Sequence, residues 1–116
     1  AASDVYKRQM IRKATSHLDN VEVVSFSGLL VDFAKEQGAS VSVRGLRAVT
    51  DFEYEIQIAQ TNAKLNKDLD TMFFTTSIEY SYVSSTIVKE IASYHGDISE
   101  MVPPYVQECL EKKFKS

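Results

Sequence analysis

The sequence predicts an α/β domain in which a parallel sheet is flanked by helices. Short β-branched and aromatic runs at Val21–Phe26, Val41–Val43 and Thr71–Phe74 alternate with segments of helical spacing, and that alternation is the pattern of parallel strands joined by helical crossovers. A chain of 116 residues with 44% hydrophobic and 25% charged side chains has the length and composition of one globular domain.

Taken in order, residues 1–9 carry little periodicity and the chain does not open on methionine. They are expected to be a non-native or unstructured leader, with a single domain from residue 10 to 116. Met10, Ile11, Ala14 and Leu18 have the spacing of a helix's last turns. Val21, Val23, Val24 and Phe26 predict a buried strand. Leu29, Leu30, Phe33 and Ala34 predict a helix, and Gly38 stands where a left-handed cap belongs. Val41–Val43 predicts the next strand, closed by Arg44-Gly45-Leu46-Arg47. Thr50-Asp51-Phe52-Glu53 has the form of a capping box, opening a long helix that runs to Asn66. Thr71–Phe74 predicts a third strand. Ser84-Ser85 opens a helix through Ala92, and Pro104 suits the first turn of a final one.

Charge and cysteine usage narrow the functional classes. A formal net charge of −3 and an isoelectric point near 5.3 argue against a nucleic-acid partner, which needs a basic face to displace counterions. Cys109, His17 and His95 are too far apart in sequence for a structural zinc site, and one cysteine allows no internal disulfide. A reducing, cytoplasmic setting is expected. No apolar run approaches the roughly 20 residues of a membrane span.

Two segments fall at strand ends, where parallel sheets bind ligands. Arg44-Gly45-Leu46-Arg47 offers two guanidinium groups around a residue that lets a backbone approach closely. Tyr80-Ser81-Tyr82-Val83-Ser84-Ser85-Thr86 is a hydroxyl-rich turn leading into a helix N-terminus, a ready place for an anion. Each also has a plain structural reading, the serines as helix caps and the arginines as solvated surface.

Arg44 to Glu55, then Ser81 to Thr86 and Val88-Lys89-Glu90, together with Val102-Pro103-Pro104-Tyr105-Val106, closely resemble the phosphopantetheine adenylyltransferase family from about Ile11 onward. The resemblance implies a Rossmann-like nucleotidyltransferase domain of coenzyme A biosynthesis, which moves the adenylyl group of ATP onto phosphopantetheine and releases dephospho-coenzyme A and pyrophosphate. It implies that Arg44 holds the phosphopantetheine phosphate, with Leu30, Ile58, Asn62 and Glu90 along the pantetheine channel; the two apolar members have a core alternative. Gly45, Leu46, Arg47 and Glu55 would line the ATP site, with Tyr80, Ser81, Tyr82, Val83, Ser84, Ser85 and Thr86 as its second wall, so that both segments share one polyphosphate. Magnesium would accompany ATP, coenzyme A would be a further ligand, and relatives assemble as homo-hexamers.

The family's Gly-Thr-Phe-Asp-Pro turn and Thr-x-Gly-His signature do not occur in this sequence. The first strand–helix unit is therefore expected to be missing, with no catalytic residue or metal ligand retained and little activity in this chain alone. A non-catalytic module that binds nucleotide or coenzyme A, or a purely structural domain, is the alternative.

Overall fold

A computed structural model describes residues 2–115. In chain order these form α1 (Ala2–Ala14), α2 (Leu30–Gln37), β1 (Val41–Leu46), α3 (Val49–Leu65), β2 (Asp70–Thr75), a 3-10 turn (Ile78–Tyr80), α4 (Ser85–Ser93) and α5 (Pro104–Lys113). The chain is α/β, with β1 and β2 paired in parallel from Val41 opposite Asp70 to Leu46 opposite Thr75. Packing divides it into two compact units, Phe26–Tyr82 and the segments on either side of it. Each unit has a buried cluster of its own. Two strands about 5 Å apart make a ribbon roughly as wide as one helix, which is too little surface to gather every apolar helix face.

In the unit Phe26–Tyr82, Val31 and Ala34 of α2 meet Leu69 in a small buried cluster. Leu69 is 1% exposed, and burying a leucine this fully contributes about 2 kcal/mol. Gly38 ends α2 at φ 66°, and N–H groups of its cap return to the Ala34 and Lys35 carbonyls, the left-handed cap its position predicted. The α3 helix joins the parallel strands and touches both. Alternation along a strand puts Ser42, Arg44 and Leu46 on the face toward α3. Val41, Val43, Met72 and Phe74 lie on the other and are exposed.

Several boundaries differ from expectation. Val21–Phe26 is not a strand: its backbone is irregular and Val21, Val24 and Phe26 are exposed. A β-branched run becomes a strand only beside a hydrogen-bonding partner, and among the described residues none pairs with it. Instead Arg12 Nη2 donates to the Val23 carbonyl at 3.4 Å, and Phe26 stacks on Phe33 with ring centroids 4.3 Å apart. The strand expected to close at Val43 continues through Leu46, because β2 supplies ladder partners that far. The α3 helix begins at Val49 with Ala48 as its N-cap and no side-chain cap, so Thr50 sits inside the first turn; its side chain, and with it the capping box, lies outside the described residues.

In the other unit, residues 2–9, expected to be non-native or unstructured, form the opening turns of α1. Lys7, Arg8, Gln9 and Met10 are good helix formers, and Asp4 in the first turn with Arg12 and Lys13 in the last complement the helix dipole. The helix stops at Ala14, short of Leu18, which is exposed. Lys13 Nζ lies 5.9 Å from the centroid of the Tyr105 ring on α5. Val88 and Ala92 of α4 enclose Ile98 in a second core, against which Leu110 and Phe114 pack. Pro103 caps α5 and Pro104 occupies its first turn, as predicted. No helix among the described residues is long and apolar enough to cross a membrane.

Candidate functional site

Arg44 is the fourth residue of β1, and Glu55 sits one turn and a half into α3. Strand alternation aims the guanidinium at the helix, and the two side chains close a fork. Arg44 Nε donates to Glu55 Oε2 at 2.9 Å, while Nη2 donates to Oε1 at 2.7 Å. Arg44 is 46% exposed and Glu55 only 13%. The hydrogen bond from Arg44 holds the Glu55 carboxyl below the usual carboxylate range, against a smaller opposing effect of lost hydration. The same bond raises Arg44, already a permanent cation.

The pair forms one wall of a cavity of about 200 Å³, closed by Leu30, Ser42, Ile58, Asn62 and Thr71. Glu55, Ile58 and Asn62 are spaced i, i+3, i+7 on α3 and so share a helix face. Four of the five residues assigned to phosphopantetheine, Arg44 for its phosphate and Leu30, Ile58 and Asn62 for its channel, therefore line one cavity, joined by Glu55 from the nucleotide set. The fifth, Glu90, is exposed on α4 in the other unit. Ser42 and Thr71 escaped the sequence reading. They pair across the ladder, and Ser42 shares the face of Arg44 by strand alternation, a signal available only once the strand is known to reach Leu46.

Gly45 continues the strand, and a β-carbon added there would meet nothing within 4 Å. Leu46 is buried at 8% exposure, and its carbonyl accepts the Thr76 N–H at 3.0 Å. Arg47 lies just past the strand, its Nε 3.6 Å from Asp51 Oδ2. Of the hydroxyl-rich segment, Tyr80, Ser81 and Tyr82 belong to the same unit as Arg44, and Val83 to Thr86 to the other. The Ser81 hydroxyl donates to the Ile78 carbonyl at 2.9 Å. Ser84 is the N-cap of α4, its hydroxyl accepting the Ile87 N–H at 3.2 Å. Ser85 and Thr86 form the exposed first turn, where backbone N–H groups have no acceptor within the helix.

A larger cleft, about 650 Å³, lies in the other unit among Met10, Lys89, Tyr105, Cys109 and Leu110. It contains none of the residues assigned to ligands. The smaller cavity is the stronger candidate because a forked guanidinium, the side chain best shaped for phosphate, is fixed in its wall. His17 and His95 are both exposed. Among the described residues, no three histidine, cysteine or carboxylate side chains gather as a metal site.

A phosphopantetheine adenylyltransferase from Lachnoclostridium phytofermentans is 58% identical over 106 residues, covering 91% of this chain and 65% of that protein. The chain thus spans slightly less than two thirds of the relative it matches. The cytidylyltransferase-like family model matches residues 3–91, a stretch that holds β1, α3, β2 and every residue assigned above to a ligand. The chain belongs to the cytidylyltransferase-like family.

Proposed function

We propose that this chain carries the phosphopantetheine-binding part of a phosphopantetheine adenylyltransferase, and that the protein it represents makes dephospho-coenzyme A from ATP and phosphopantetheine. The observation that carries this reading is Arg44, held at the wall of a cavity whose remaining lining is mostly small, hydroxylic or apolar. Such a cavity suits a thin amide chain ending in a phosphate. The guanidinium meets the charged end with forked hydrogen bonds, Asn62 can bond an amide, and Leu30 and Ile58 cover methylenes.

In the reaction, an oxygen of the phosphopantetheine phosphate attacks the α-phosphorus of ATP. The bond from that phosphorus to the bridging oxygen of the β-phosphate breaks, and pyrophosphate leaves. No protein nucleophile is needed, so the protein's work is alignment and charge stabilisation. Arg44 would hold the attacking phosphate. Arg47, with the backbone of Gly45 and Leu46, would serve the nucleotide, and the α4 start at Ser84, Ser85 and Thr86 adds N–H and hydroxyl donors in its own unit. Magnesium is taken to arrive as part of the ATP complex. A cytoplasmic setting, assembly as a homo-hexamer and occupancy by coenzyme A belong to the same proposal.

Calorimetric titration with phosphopantetheine tests it. Saturable binding by the chain that Arg44→Ala abolishes is the expected result, and its absence rejects the reading. A parallel assay for pyrophosphate release shows whether this chain turns over on its own; binding without turnover is the expected result for a sequence that does not contain the Thr-x-Gly-His signature.

A further inference from the structure

We propose that the cleft of about 650 Å³ lined by α1, α4 and α5 is a second ligand site, built for a small anionic amphiphile: an unbranched apolar chain carrying one anionic head group. It lies wholly in the unit outside Phe26–Tyr82, so it stands independently of the phosphopantetheine reading. Floor and rim differ in chemistry. Met10 of α1 and Tyr105, Cys109 and Leu110 of α5 are half-buried, whereas Lys7, Lys89, Lys112 and Lys113 are exposed, and all of them line the cleft. On α5, Tyr105, Cys109, Lys112 and Lys113 follow at i, i+4, i+7 and i+8 and share one helix face. Lys89 belongs to the Val88-Lys89-Glu90 segment, but the family resemblance gives it no ligand.

Four ammonium groups around one cleft run against the chain's net charge of −3. Among the described residues no carboxylate lines it. Glu108 lies on the same helix and takes Lys112 at 3.4 Å, and among the described residues Lys7, Lys89 and Lys113 have no ion-pair partner. A lysine lays its methylenes along an apolar floor and keeps its ammonium in water, so the rim attracts an anion without burying a charge. An inorganic anion would leave the apolar floor wet, and an uncharged chain would leave the rim unused; a molecule with both parts satisfies both. Methionine adapts its shape to a flexible chain, and the volume falls within the range of about 300–1,000 Å³ that small-molecule sites occupy.

Cys109 is the only cysteine of the chain, so its alkylation by the neutral reagent iodoacetamide reports whether the cleft is filled. Labelling is followed by mass spectrometry with laurate below its micelle concentration, dodecyltrimethylammonium, inorganic phosphate or phosphatidylglycerol vesicles. Laurate is expected to slow labelling saturably, by about tenfold or more at the plateau, while the cationic amphiphile and phosphate leave the rate within about twofold. Lys89→Gln with Lys113→Gln should raise the laurate concentration for half-protection roughly tenfold, the scale of a charge-assisted hydrogen bond. Met10→Asp, which puts a carboxylate into the floor and keeps every lysine, should abolish protection and decides the matter if the lysine variant changes the rate without ligand. Equal protection by the cationic amphiphile overturns the proposal in favour of a plain apolar patch, and protection by phosphate in favour of a bare anion site. Protection by vesicles without protection by laurate overturns it in favour of a membrane surface. Protection by none of them, or laurate protection that neither variant alters, also overturns it.

Discussion

The hydroxyl of Ser84 accepts the backbone N–H of Ile87 at 3.2 Å, so a residue that family resemblance places against phosphate is already engaged in starting α4. Its neighbours Ser85 and Thr86 lie one and two residues further on, inside the first turn, and are not committed in this way.

That difference separates the effects of neighbouring substitutions. Ser84→Ala should cost about 1 kcal/mol of stability, as loss of a serine N-cap does. Ser85→Ala should leave the unfolding midpoint within about 0.5 kcal/mol while weakening ATP binding. Urea unfolding and calorimetry on both variants check the split, and equal destabilisation would remove it.

The Arg44–Glu55 fork should make stability depend on pH in a defined direction. Because the folded-state carboxyl lies below the ordinary glutamate value of 4.5, its contribution is fully present above pH 4.5 and is lost as pH falls through the lowered folded value. Arg44 is half exposed, so screening limits the contribution to about 1 kcal/mol or less. Denaturation of wild type and Glu55→Gln should therefore differ at pH 7 and converge as pH falls through the lowered folded value. A gap that widens on acidification would contradict the assignment.

Leu69 and Ile98, each 1% exposed, anchor separate cores. Leu69→Ala and Ile98→Ala should each cost about 2–5 kcal/mol. Hydrogen exchange should show the first loosening chiefly α2, and the second α4 and α5. Uniform acceleration across the whole chain in both variants would show instead that the two cores open together.

The end of α4 stores backbone strain. His95 adopts φ 61°, donating its N–H to the Ala92 carbonyl at 3.0 Å, while the Gly96 N–H donates to the Ile91 carbonyl at 2.9 Å. Glycine fits this left-handed position without penalty, so His95→Gly should stabilise by about 1 kcal/mol. Gly96→Ala should destabilise, since the added carbon would lie 2.6 Å from Ile91 Cγ2. Thermal melts of both variants, moving in opposite directions, are the check.

The uncovered sheet face should govern solution behaviour. Val43 and Phe74 are 62% and 58% exposed, an apolar surface of the kind that drives association. Val43→Thr with Phe74→Thr keeps strand propensity at Val43 and makes both positions more polar. Light scattering should show less concentration-dependent association than in wild type, and no change would place the contact elsewhere.

Periodicity and local chemistry were enough to find α2 with its glycine cap, α3, β2, α4 and the proline-started α5, because each depends on side chains within a few residues of one another. The Arg44 and Ser84 segments were legible for the same reason, as short patterns of donors beside strand or helix ends. What lay outside the sequence was set by partners distant along the chain. Val21–Phe26 has a strand's composition but, among the described residues, no neighbour to complete its ladder, and β1 runs to Leu46 because β2 meets it there. Only the tertiary structure brought Glu55 against Arg44, eleven positions away, turning two charges that read separately into one oriented fork. A ladder and a forked ion pair both form between groups whose spacing is decided by how helix and strand pack, and no local pattern records that distance.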